Sequence, residues 1–115
     1  MKVIFSSQFR DSSGYASAAR SYLHAVDSVL NDYSIDFSVL SIAVESGSKI
    51  SKEDEDMIQK YELDLSKVDE IIKGDYLFIW HQPAGMIMFG DNNLTNDVKW
   101  VAFKKLLENS TKNIN

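Results

Sequence analysis

Apolar residues recur along this chain in two different periods, and the switches between them mark an alternating series of strands and helices. Lys2–Ser6 opens with the apolar run Val3–Phe5, which predicts a short buried strand at the first residues. From Ser6 to Gly14 polar residues take over, and Ser12, Ser13 and Gly14 supply capping hydroxyls and a flexible backbone position. Between Tyr15 and about Asn31, Tyr15, Ala18, Ala19, Tyr22, Leu23, Val26, Val29 and Leu30 fall three and four residues apart. That spacing is one apolar face of a helix, with Ser17, Arg20, Ser21, Asp27 and Ser28 on the other. Residues 2–30 therefore read as strand, glycine-containing loop and amphipathic helix, the opening unit of a Rossmann-like α/β domain that holds a ligand at the loop.

Ile35–Ile42 alternates Ile35, Phe37 and Val39 with Asp36 and Ser38, a strand with one better-buried face and a place near the sheet edge. Ser51 with Asp54 forms a capping box, and Glu53–Asp56 puts acidic groups where a helix N-terminus favours them; Met57, Ile58 and Tyr61 form its buried side. A second short helix is expected from Ser66, burying Val68, Ile71 and Ile72 and stopped by Gly74. Asp75–Trp80, unbroken apolar from Tyr76 on, predicts a strand buried on both faces. Residues 84–94 read as an apolar loop, and Thr95 or Asn96 to Glu108 as a helix burying Val98, Val101, Ala102 and Leu106. A further strand is expected around Asn113. The element order implies a parallel sheet with crossover helices, incomplete at three to four strands where freestanding sheets of this kind have about five or six. The chain is accordingly expected to be one Rossmann-like domain, residues 1–115, the truncated N-terminal half of a two-domain enzyme.

Composition narrows the picture. With 115 residues, 44% of them hydrophobic and 25% charged, the chain has the make-up of a folded domain. A formal net charge of −5 with only 12 scattered basic residues argues against nucleic acid as a partner. The absence of cysteine excludes disulfides, thiolate metal sites and thiol nucleophiles. No apolar run approaches the roughly 20 residues of a transmembrane helix, and the N-terminus lacks a signal-peptide core, so a cytoplasmic location is expected.

Ligands of open α/β sheets sit outside the carboxyl ends of the strands. Two such ends can be read here. After the first strand, the incoming helix directs backbone N–H groups at an anion, with Arg10 able to add a charge-assisted contact. The bland reading is that Ser12, Ser13 and Gly14 only cap the helix. After the apolar strand stand His81 and Gln82, and a histidine there can donate a hydrogen bond or act as acid or base; the bland reading is a strand-end hydrogen bond. His24, beside the buried stripe of the first helix, reads as structural. A single glycine excludes the dinucleotide fingerprint, and Gly47–Ser51 lacks the order of a P-loop. Glu53–Asp56 lacks the alternation of a calcium loop, so no metal site is expected.

Two segments resemble a known family. Residues 13–26, Ser-Gly-Tyr-Ala-Ser-Ala-Ala-Arg-Ser-Tyr-Leu-His-Ala-Val, are similar to the stretch after the first strand of GT-B glycosyltransferases. Residues 75–83, Asp-Tyr-Leu-Phe-Ile-Trp-His-Gln-Pro, resemble that family's Asp-hydrophobic-His segment, whose histidine faces the interdomain cleft. Ala16 stands where many members have a second glycine, and nothing here matches their donor-binding C-terminal domain. The resemblance implies an acceptor-side N-terminal domain that transfers a sugar from a nucleotide-sugar to a sugar-bearing acceptor, without a cofactor, and is inactive without its missing C-terminal domain. It places Gly14 near the donor phosphates and gives His81 the contact to the transferred sugar, with Arg10, Ser12, Ser13, Tyr15 and Gln82 lining the substrate. The alternative is a non-catalytic α/β binding or regulatory module for a small anionic ligand at the same loop.

Overall fold

A computed structural model describes residues 2–10, 14–42, 50–81, 98–110 and 112–114. Strand β1 is Lys2–Ser7, and helix α1 is Gly14–Val29, followed by the 3-10 turn Leu30–Asp32. Strand β2, Asp36–Ser41, leads to α2, Lys52–Tyr61. The 3-10 turn Leu65–Lys67 runs into the short α3, Val68–Ile71, and then come β3, Tyr76–His81, α4, Val98–Asn109, and β4, Lys112–Ile114. The loops expected at 45–49 and 84–94 lie outside the described residues.

Local chemistry accounts for several of these bounds. The Ser51 hydroxyl accepts from the Asp54 N–H at 3.1 Å, the N-cap read from sequence, while the Asp54 carboxylate turns to His24 and Arg20. Asp64, not Ser66, caps the next turn: its carboxylate accepts from the Ser66 N–H at 3.0 Å and the Ser66 hydroxyl at 2.7 Å. Helix formation therefore begins a residue earlier than expected, as a 3-10 turn.

All pairings in the sheet are parallel, in the order β2-β1-β3-β4. This is the α/β, partial Rossmann-like architecture expected, with β2 at an edge. Residues 62 and 63 run along that edge, with a bridge from Glu62 to Val39 and the Leu63 N–H donating to the Val39 carbonyl at 2.8 Å. The cover protects backbone groups that would otherwise be free to pair with another chain.

Alternate residues of β1 serve two separate cores. Ile4 packs with Leu40, Phe78, Trp100, Phe103 and Leu106, so α4 lies on that face. Phe5 packs with Phe9, Ala19, Leu23, Val39 and Ile58, so α1 and α2 lie on the other. The Tyr76 hydroxyl donates to the Leu106 carbonyl and ties β3 to α4.

Three expectations about burial are corrected. In α4 the buried set is Trp100, Ala102, Phe103 and Leu106, while Val98 and Val101 are 68% and 40% exposed. The helix turns its two large rings inward because they remove more apolar area from water than two valines do. In α1, Tyr22 and Val29 of the predicted stripe are 52% and 47% exposed. The stripe proper is narrower, with Ala16, Ala19 and Leu23 buried, because α1 leans on β1 and α2 and leaves its outer flank uncovered. β3 is likewise less covered than a strand buried on both faces: Tyr76 and Phe78 are buried, while Leu77, Ile79 and Trp80 are half-buried.

Candidate functional site

Helix α1, which follows β1, packs on one face of the sheet, and α4, the next described element after β3, packs on the other. Adjacent parallel strands whose outgoing helices diverge in this way open a crevice between their carboxyl ends, where ligands of such sheets bind. By that rule the ligand crevice of this sheet falls at Ser7 and His81, which are direct partners in the β1–β3 register. The Ser7 hydroxyl donates to the His81 carbonyl at 2.7 Å and fixes the backbone of one strand end against the other. Ser41 of β2 is in register with Ser7 on the opposite side, so Ser41, Ser7 and His81 form one row across three strands. Ser6, Ser7, Gln8 and Ser41 are all buried and polar, so the carboxyl ends of β1 and β2 differ from the apolar row of Phe5, Val39 and Ile79 beneath them.

The His81 ring is partly buried, and Tyr22 of α1 meets it edge to face at a centroid distance of 5.7 Å. Half of the Tyr22 side remains open to solvent, so the crevice has an exposed phenol beside an imidazole. Helix α1 starts at Gly14, with Gly14 and Tyr15 in its first turn on the chain path between β1 and this crevice. Ser12, Ser13 and Gln82 lie outside the described residues.

Arg10 sits just after β1, with its guanidinium engaged by two carboxylates. Nε and Nη2 donate to Glu55 at 2.8 Å each, and Nη1 and Nη2 donate to Glu62 at 3.1 and 3.3 Å. These contacts raise the Arg10 pKa, chiefly through Glu55, and the guanidinium holds the Glu55 carboxyl below the usual carboxylate range. An anion reaching Arg10 would share it with, or displace, a side chain already in place. Lys99 of α4 adds a second cation, 3.7 Å from Glu62.

A second ionic group joins α1 to α2. His24 Nε2 lies 2.7 Å from Asp54, and Arg20 Nε lies 3.6 Å from the other oxygen of that carboxylate. The hydrogen bond with His24 is the largest cause of the lowered Asp54 pKa. Arg20 also donates to the Phe9 carbonyl at 2.8 Å, which anchors the turn after β1. His24 thus takes the structural role read from sequence. Arg20 was assigned to the solvated face, yet its side chain is only 16% exposed. Nothing in the helical spacing signals this, since the acceptors come from residues 11 positions back and 34 ahead. Ser7 and Tyr22 were likewise not read as site residues; a polar residue at a strand's carboxyl end was the available clue for Ser7.

No family model, curated protein or solved structure matches this chain. Among the described residues no helix is long and apolar enough to cross a membrane, and no group of three or more His, Cys, Asp or Glu could hold a metal ion.

Proposed function

We propose that this chain is the acceptor-side domain of a cytoplasmic glycosyltransferase that moves a sugar from a nucleotide-sugar to a sugar-bearing acceptor. One observation supports the reading: the two segments that resemble GT-B enzymes, distant in sequence, meet beside the carboxyl end of β3 through the edge-to-face contact of Tyr22 with His81. In this reading His81 hydrogen-bonds a hydroxyl of the transferred sugar, and the exposed edge of Tyr22 flanks it. The N–H groups at the start of α1 face the departing phosphates, where a helix N-terminus stabilises developing negative charge. Ser7 keeps the His81 backbone in register so that the ring does not have to be positioned during the reaction.

The test is sugar transfer by the protein with any sequence its gene encodes beyond Asn115, assayed over uridine and guanosine diphosphate hexoses. His81→Ala should lower kcat/KM by about 10²-fold or more, the scale of one positioned acid–base or hydrogen-bonding group. Transfer that survives His81→Ala unchanged removes the role given to His81. No transfer or hydrolysis with any donor, in protein that binds a small anion, favours the non-catalytic module.

A further inference from the structure

A second concave surface lies on the β2 side of the sheet, away from the β1–β3 crevice. It is a cleft of about 440 Å³ between the carboxyl end of β2, the segment 62–65 and α4. Leu40, Leu63 and Leu65 give it apolar walls, Ser41 a polar corner, and Lys99 a cation at its mouth. Glu62 projects a carboxylate into the space between Lys99 and Arg10.

A planar guanidinium has two edges that can each hold a pair of oxygens. In Arg10 both are taken, but unequally. Glu55 holds the Nε–Nη2 edge with two contacts of 2.8 Å. Glu62 holds the Nη1–Nη2 edge at 3.1 and 3.3 Å and is shared with Lys99 at 3.7 Å. Its side chain is 32% exposed, so water reaches it and it can swing out without unfolding its surroundings. The other carboxylate on the cleft, Asp64, is occupied in capping the 3-10 turn through Ser66.

We propose that this cleft binds a small molecule with an apolar body and one oxyanion group, a carboxylate or a phosphate, and that Glu62 is the built-in stand-in for that group. The ligand's apolar part lies against Leu40, Leu63 and Leu65, and its oxyanion replaces the Glu62 carboxylate between Arg10 and Lys99. The ligand's negative charge takes the place of the Glu62 charge, which moves into water. Carboxylate and phosphate offer the same paired oxygens to a guanidinium edge. The site does not depend on sugar transfer at the crevice.

Calorimetric titration with butyrate, butyl phosphate and inorganic phosphate tests it on the protein and on Glu62→Gln, which keeps the side chain's shape and removes the competing charge. Glu62→Gln should bind butyrate or butyl phosphate about tenfold tighter than the unsubstituted protein, since a like charge no longer has to be moved aside. Which of the two probes gains more tells the carboxylate from the phosphate ligand. In the Glu62→Gln background, Lys99→Met should abolish the gain and Lys99→Arg should keep it. Amide shifts on binding should centre on Leu63, Leu65 and Lys99. Equal affinities of the protein and Glu62→Gln, or a gain that survives Lys99→Met, overturn the proposal. Inorganic phosphate binding as tightly as butyl phosphate overturns the role of the apolar wall.

Discussion

The two faces of the sheet are held by different physics. On the α4 face, Trp100 stacks on Phe103 at 5.2 Å and Phe78 meets the same ring at 5.4 Å, all three buried. On the α1–α2 face the core is smaller, around Phe5, Phe9, Leu23 and Ile58. It is rimmed by ion pairs, Arg10 with Glu55, Arg20 with Asp54, and Lys60 with Asp27, joined by the hydrogen bonds of His24 with Asp54 and of the Tyr61 hydroxyl with Asp27. Apolar packing is non-directional and is not weakened by charge screening, so the α4 face supplies stability. Ion pairs at a partly exposed rim add little net energy but choose one orientation among several. Both candidate sites border this charged rim, where side chains can exchange partners without opening the core.

The largest expected effect is on the apolar face. Phe103→Ala should cost about 3–5 kcal/mol of unfolding free energy, read from the urea midpoint, since it leaves Trp100 and Phe78 without their common neighbour. A cost below about 1 kcal/mol would mean the site collapses freely and the contrast between the faces is wrong. Arg10→Met comes next, at about 1–2 kcal/mol, because it leaves Glu55 and Glu62 side by side without their cation. This loss should shrink in 1 M salt, where charges are screened beyond about 3 Å, while that of Phe103→Ala should not. If both respond to salt alike, the comparison fails.

The smallest effect is with acid. Asp54 and Glu55 have pKa values lowered in the fold, through His24 and Arg10 respectively. Their contribution is therefore complete above the unfolded carboxylate range, near pH 4, and lost as pH falls through the lower folded values. At partly exposed positions it amounts to about 1 kcal/mol or less for each pair. The unfolding midpoint should drop between pH 5 and pH 3, and by less in Arg10→Met, which has already lost one of these pairs. An equal drop in both would assign the acid sensitivity elsewhere.

How much of this was legible varied with the range of the interaction responsible. The strand–loop–helix unit at 2–30, the edge position of β2 and a strand near Asn113 all follow from periodicity and turn chemistry, and the structure has them. The rotation of α4 was not legible. Val98, Val101, Ala102 and Leu106 share a helical stripe as well as Trp100, Ala102, Phe103 and Leu106 do, and only the neighbouring Phe78 and Ile4 choose between them. At the candidate site, a histidine at a strand end marked one wall of the crevice, but Arg10 gave no sign that Glu55 and Glu62 hold it.

The sequence by itself determined the order and type of the elements, because helix and strand periods, caps and apolar runs act over a few residues. It also put His81 directly after an apolar strand, which the structure ends on that residue. Only the tertiary structure decided that Ser7, Ser41 and His81 stand in one row, that α1 and α4 pack on opposite faces of the sheet, and which carboxylates neutralise Arg10. Those outcomes depend on partners 34 to 74 residues apart, meeting through burial and charge that no local pattern encodes.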